Sequence, residues 1–236
     1  LEAASDPDER TSRLRDMAAC ALHFQCDRAR ALQFVQAIID EAGNDETRLA
    51  FGIRALVALH QPTDVVNLLA GLAMDRDDQG AAPLWIHAVA IAEREADDPQ
   101  LALRTAIKGL AQSPQCAPLL LAFERLALEL REVETARNVY RSLMDRAMGM
   151  HGRRALAYRE ARWLERAGDA RAALEAYTQA FSLAPSAGVV FGAIERLAQT
   201  EGQWENLIAA FMTLAQQSMD VDTRIGHVTR AAGLCE

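Results

Sequence analysis

An all-helical protein is what this sequence predicts, on three observations. Half of its 236 residues are apolar while aromatics make up only 6% and alanine about a fifth, a composition of helix formers rather than of β-branched and aromatic strand formers. Apolar residues recur with helical periodicity almost throughout. The seven prolines fall mostly between those periodic stretches, where they punctuate helices instead of breaking strands.

Taken in chain order, breaks of Gly, Pro, Asp or Asn near Cys26, Gly43-Asn44, Pro62, Asp75 to Asp78, Asp97 to Pro99, Gln112 to Pro114, Arg131, Gly149 to Gly152, Gly168-Asp169, Pro185 and Gly202 divide the chain into helices. The expected spans pair as hairpins: 10–24 with 27–42, 46–60 with 63–75, 82–96 with 99–112, 117–130 with 133–148, 153–167 with 170–183, and 187–200 with 203–217. A last helix, 221–235, has no partner.

The pairs repeat. Gly168 to Pro185, GDARAALEAYTQAFSLAP, places Gly in a turn, Ala173, Tyr177 and Ala180 on one packing face, and Pro at the close. Equivalents of Ala173 fall at Ala31, Val66, Ala102, Ala136 and Leu207, at intervals of 35, 36, 34, 37 and 34 residues. The packing sets then read Ala31/Val35/Ile38, Val66/Ala70/Ala73, Ala102/Ala106/Gly109, Ala136/Tyr140/Leu143, Ala173/Tyr177/Ala180 and Leu207/Phe211/Leu214, all apolar or glycine. Pro114 stands to Ala102 as Pro185 does to Ala173.

This pattern resembles the second helix of the tetratricopeptide repeat (TPR), and the likeness covers Asp27 to Gln217. First helices match less well: Trp85 sits near the family's large aromatic, but Glu124, Glu160 and Glu195 fall where an apolar residue is usual. The resemblance implies an all-α, right-handed α-solenoid of stacked antiparallel hairpins, with about six and a half repeats in a single domain, 1–236. Its units would be 10–42, 46–75, 82–112, 117–148, 153–183, 187–217 and an incomplete 221–236. A hairpin this small buries too little surface alone, so each must be covered by its neighbour. Ile225, Val228, Ala232 and Leu234 in the last helix would leave an apolar stripe open. That leads us to expect either excision from a longer array or self-association through this end.

The formal net charge of -8 gives no general attraction to nucleic acid or anionic membrane. No apolar run reaches the ~20 residues of a membrane span, and Leu1 to Arg15 is charged, so a cytoplasmic segment is expected. The chain opens without Met, as a piece of a longer or processed protein would, and its parent could carry a signal or anchor. Arg in place of Lys with abundant Ala suggests a GC-rich bacterial genome.

In TPR-like arrays the first helices line the concave surface that takes peptides or partner helices. The resemblance therefore implies a protein-binding scaffold, with Arg125, Arg162, Arg196 and Arg230 forming a ladder along the groove and Tyr158 one turn before Arg162. Recurring guanidiniums could pair with the carboxylates of an acidic segment. They could equally pair with surface glutamates nearby, Arg125 with Glu129 and Arg162 with Glu160 or Glu165, and Tyr158 could simply pack between helices. The family's carboxylate clamp needs lysine and asparagine on first helices, whereas the one lysine, Lys108, lies on a second helix. Recognition of chaperone tails is not supported.

Cys20, Cys26, Cys116 and Cys235 lack the spacing of a disulfide framework. Met17 to Cys20 resembles a lipoprotein cleavage box without the apolar segment before it. Cys20, His23 and Cys26 lack a fourth zinc ligand; the acidic clusters at Asp75 to Asp78 and Glu93 to Asp98 sit in turns. No phosphate loop, nucleophile elbow or nucleophilic Cys/His context appears, so we expect neither catalysis nor a cofactor nor a metal. Two other functions stay open: an architectural assembly module, and a regulatory region of a multidomain signalling protein or enzyme whose active module lies outside this chain.

Overall fold

The computed structural model describes residues 6–23, 27–42, 45–59, 62–183 and 188–235, and those residues form helices and turns with no strand among them. The helices are α1 (Pro7–His23), α2 (Arg28–Ala42), α3 (Glu46–Leu59), α4 (Pro62–Met74), α5 (Asp78–Arg94), α6 (Pro99–Gln112), α7 (Ala117–Glu129), α8 (Val133–Arg146), α9 (Gly149–Ala167), α10 (Ala170–Leu183), α11 (Gly188–Glu201), α12 (Trp204–Gln217) and α13 (Val221–Gly233). They match the thirteen expected spans, and the largest differences are starts: α1, α5 and α9 each begin three or four residues earlier than expected.

The starts have a common chemistry. Aspartate carboxylates accept backbone N–H groups at the head of α2 (Asp27 from Arg30, 3.0 Å), α5 (Asp77 from Gly80, 2.9 Å), α6 (Asp98 from Leu101, 2.8 Å), α10 (Asp169 from Ala172, 3.0 Å) and α13 (Asp220 from Thr223, 2.9 Å). Each satisfies a donor that the first turn leaves unpaired and places negative charge at the positive end of the helix. Pro83 lies inside α5, in its second turn, where it withholds the bond that the Gln79 carbonyl would accept.

The turns inside four hairpins also share one device. Asp97, Arg131, Gly168 and Gly202 all adopt left-handed backbone, with φ of 49°, 57°, 84° and 64°. Glu132, Asp169 and Gln203 follow three of them and donate to the carbonyls of Ala127, Leu164 and Ala198, closing the preceding helix. Glycine adopts this conformation freely, whereas Asp97 and Arg131 hold it at a steric cost.

The chain divides into two compact units, Leu1–Leu126 and Ala127–Glu236. In the first, α1 packs on α2, α2 on α3, α4 on α5 and α5 on α6. Trp85 and Leu84 are fully buried. The Trp85 indole N–H donates to Gln112 Oε1 (2.7 Å), and Gln112 Nε2 donates in turn to the carbonyls of Ala73 (2.8 Å) and Arg76 (2.9 Å), pinning α4, α5 and α6 at one point. Gly109 is needed for close approach: a Cβ there would stand 2.9 Å from a Leu119 methyl and 3.0 Å from the Trp85 side chain.

In the second unit α8 packs on α9, α9 on α10, α10 on α11, α11 on α12 and α12 on α13, while α10 also meets α12, the second helix of the next hairpin. Tyr140, Trp163 and Phe181 are buried, and Phe181, Phe191 and Phe211 follow one another at centroid separations of 5.7 and 5.1 Å, in edge and tilted arrangements that aromatic quadrupoles favour. Sixteen of the eighteen packing positions read from the repeat are buried; Ala70 and Leu214 are half-buried. Tyr140, Tyr177 and Phe211 fill space and Ala136 and Ala173 permit close approach, as small and large residues must alternate in a dense core.

Candidate partner-binding face

The sequence-derived site residues lie on α7, α9, α11 and α13, and the structure divides them between the units. Tyr158, Arg162 and Arg196 belong to a connected cluster in the second. The Arg162 guanidinium stands over the Tyr158 ring, 6.0 Å from its centroid, at the outer range of a cation–π contact. Tyr158 lies 6.0 Å from the buried ring of Tyr177 on α10. The Tyr177 hydroxyl donates to a Glu165 oxygen (3.0 Å), and the other Glu165 oxygen accepts from Arg196 on α11 at 2.6 Å. Glu165 thereby ties three helices together. Burial first, and the bond to Glu165 second, push the Tyr177 phenol well above its ordinary ionisation range.

Arg125 lies in the first unit and pairs with Glu93 of α5 at 2.6 Å. The device is the one seen at Arg196: an arginine on a first helix reaching a glutamate near the end of the preceding first helix. Glu165 therefore serves Arg196 and Tyr177 instead of Arg162. Such pairs, roughly half-exposed, are worth about 0.2–1 kcal/mol each, but they fix where the remaining guanidinium donors point. Arg162 and Arg230 are exposed, and among the described residues neither has a carboxylate within 4 Å.

Sequence reasoning missed Glu165 as a hub because the search for partners ran within a helix, at three- and four-residue spacing. The pairs Glu93/Arg125 and Glu165/Arg196 are separated by 32 and 31 residues, close to one repeat, so the periodic pattern carried the signal. Of the glutamates at usually apolar positions, Glu124 and Glu160 are buried and Glu195 is exposed, since Ile194 turns inward in its place. On α13 the apolar stripe is open: Val221, Ile225 and Val228 are 57%, 58% and 43% exposed, while Ala231 is buried.

Cys20 and Cys235 are exposed and Cys116 half-buried; Cys26 and the side chain of His23 lie outside the described residues. Among the described residues, no helix is long and apolar enough to cross a membrane, and no three His, Cys, Asp or Glu side chains are grouped to hold a metal.

No protein-family model matches the chain. No curated protein matches it either. Among solved structures, the crystal structure of the P58(IPK) TPR domain aligns with 96% of this chain at 12% identity and a TM-score of 0.33. The alignment takes in 66% of that structure, a little under two thirds of its length. The fold is TPR-like on its own features: consecutive antiparallel helices of 13 to 19 residues, paired by short turns and stacked with small residues at the closest contacts.

Proposed function

We propose that this chain is a protein-interaction scaffold, and that the first-helix face of its second unit takes an acidic partner segment. The observation that carries the reading is the pair of exposed, carboxylate-free guanidiniums of Arg162 and Arg230, with Tyr158 beside the former and Arg196 held in place by Glu165. The mechanism is geometric. Packed helices hold the side chains before the partner arrives, so binding orders the partner without reordering the scaffold. Arginine suits the task because its planar fork matches a carboxylate. Arg125, already bound to Glu93, contributes less.

The test is binding of an aspartate- and glutamate-rich peptide to the full chain, followed by fluorescence anisotropy. Charge reversal at Arg162 or Arg230 weakens it by tenfold or more, and raising the salt concentration does the same. Arg125→Glu changes it by less than threefold. Equal affinity across all three variants would put the site elsewhere.

A second reading, assembly through the end of the second unit, draws on the open stripe of Val221, Ile225 and Val228. Light scattering separates the two: self-association abolished by Ile225→Glu supports assembly, and a monomer at all concentrations removes it.

A further inference from the structure

Each unit has a recess between two of its second helices. In the second unit Arg137 and Arg141 of α8 line it, and its volume is 170 Å³. The same repeat positions two hairpins earlier are Asn67 and Gly71 of α4. There the recess between α4 and α6 opens to 660 Å³, within the ~300–1,000 Å³ of small-molecule sites.

Gly71 makes that room without being required by the packing. At Gly52 and Gly109 a Cβ would stand 2.5 and 2.9 Å from a neighbouring side chain, but at Gly71 it would meet nothing within 4 Å. Glycine weakens a helix relative to alanine, so here the fold gives up helix stability and gains only open space. Met74, at the end of α4, lines the same recess and is 66% exposed; its flexible thioether side chain adapts to varied apolar shapes.

The floor offers a ligand no hydrogen bond. The Trp85 indole N–H is already given to Gln112 Oε1, and Gln112 Nε2 to the carbonyls of Ala73 and Arg76. Most of the lining is apolar, no aspartate or glutamate belongs to it, and its one charged residue is Lys108 of α6. Lys108 is the chain's sole lysine. It is exposed, and among the described residues no carboxylate lies within 4 Å of it. An apolar trough with a single cation on its wall is complementary to a molecule that has an apolar body and a single negative charge.

We infer that the recess between α4 and α6 binds an amphiphilic monocarboxylate, its alkyl or aryl body lying over Gly71 and Met74 and its carboxylate beside Lys108. The site is in the first unit and is independent of the first-helix face of the second.

The experiment is calorimetric titration of the full chain with hexanoate, octanoate and decanoate, each below its aggregation concentration, with octanol and octylammonium as controls. Affinity is expected to rise about threefold per added methylene while the tail still fits. Octanoate is expected to bind two- to fivefold more tightly than octanol, the contribution of an exposed ion pair. Gly71→Leu fills the recess and is expected to weaken octanoate by tenfold or more; since the space above Gly71 is open, this variant folds, and a thermal melt checks it. Lys108→Glu reverses the preference, so that octylammonium binds more tightly than octanoate. Ile225→Glu leaves binding unchanged. The inference is overturned if no carboxylate binds at millimolar concentration, if octanol matches octanoate, or if Gly71→Leu binds undiminished, which would move the amphiphile to another apolar surface such as that of α13. It is also overturned if Gly71→Leu instead abolishes self-association seen by light scattering, which would assign the recess to a second copy of the chain.

Discussion

Tyr177 carries two separable contributions, and the structure says how large each is. Its ring is 3% exposed, so Tyr177→Ala removes a packed aromatic and leaves a cavity between α9 and α10, at a cost of roughly 3–5 kcal/mol. Tyr177→Phe keeps the ring and deletes only the hydroxyl that donates to Glu165 at 3.0 Å. Hydrogen bonds to charged groups contribute about 1.5–3 kcal/mol. The partly exposed Glu165, whose side chain is 34% accessible, places this one near ~1.5 kcal/mol. Urea unfolding monitored by circular dichroism measures both.

A double-mutant cycle with Glu165→Ala isolates the bond, with a coupling of about 1 kcal/mol expected between residues in direct contact. The pH dependence has a defined sign. Since the folded phenol ionises above the ordinary tyrosine value of 10.0, its contribution is complete below that pH and is lost as pH rises through the higher folded value; the Phe variant lacks this alkaline loss. If Phe and Ala variants lose equal stability, or neither loses more than a few tenths of a kcal/mol, the hub at Glu165 is wrongly assigned.

Three other substitutions test the architecture. Gln112→Ala orphans the Trp85 indole N–H and takes one bond each from the carbonyls of Ala73 and Arg76, and thermal denaturation is expected to show a loss of roughly 1–3 kcal/mol. Arg131→Gly relieves a left-handed residue but loosens the unfolded chain, for a net gain of about 0.5 kcal/mol in chemical denaturation; a loss would mean the turn is not strained. Glu160→Gln raises the melting temperature at pH 7. The gain disappears below pH 4.5, the ordinary glutamate value above which burial begins to penalise the charged form, and a pH-independent difference would contradict the burial of that carboxylate.

The fold was legible because each repeat states it again. Ala102, Ala136 and Ala173 mark the close contacts, Gly168 and Gly202 mark turns, and Asp98 and Asp169 mark helix starts, all by local chemistry. Helix starts were misjudged where periodicity is silent: α9 begins at Gly149, ahead of its first buried residue, Ala157. The exposed arginines were legible too, but their partners were not. Glu93 and Glu165 lie one hairpin back, and a pattern searched within single helices does not see across a turn. Nor does a sequence reveal that Glu160 is buried while Glu195, read at the same repeat position, faces outward. On α11 it is the preceding residue, Ile194, that lies in the core.

The account stands most directly on whether the first-helix face of the second unit reads charge. An array of acidic, neutral and basic peptides probed with the full chain, and with the Arg162→Glu/Arg230→Glu double variant, measures this in one experiment. The account predicts that the acidic set alone is retained and that the double variant releases it. Retention indifferent to peptide charge, or unchanged in the double variant, would contradict it.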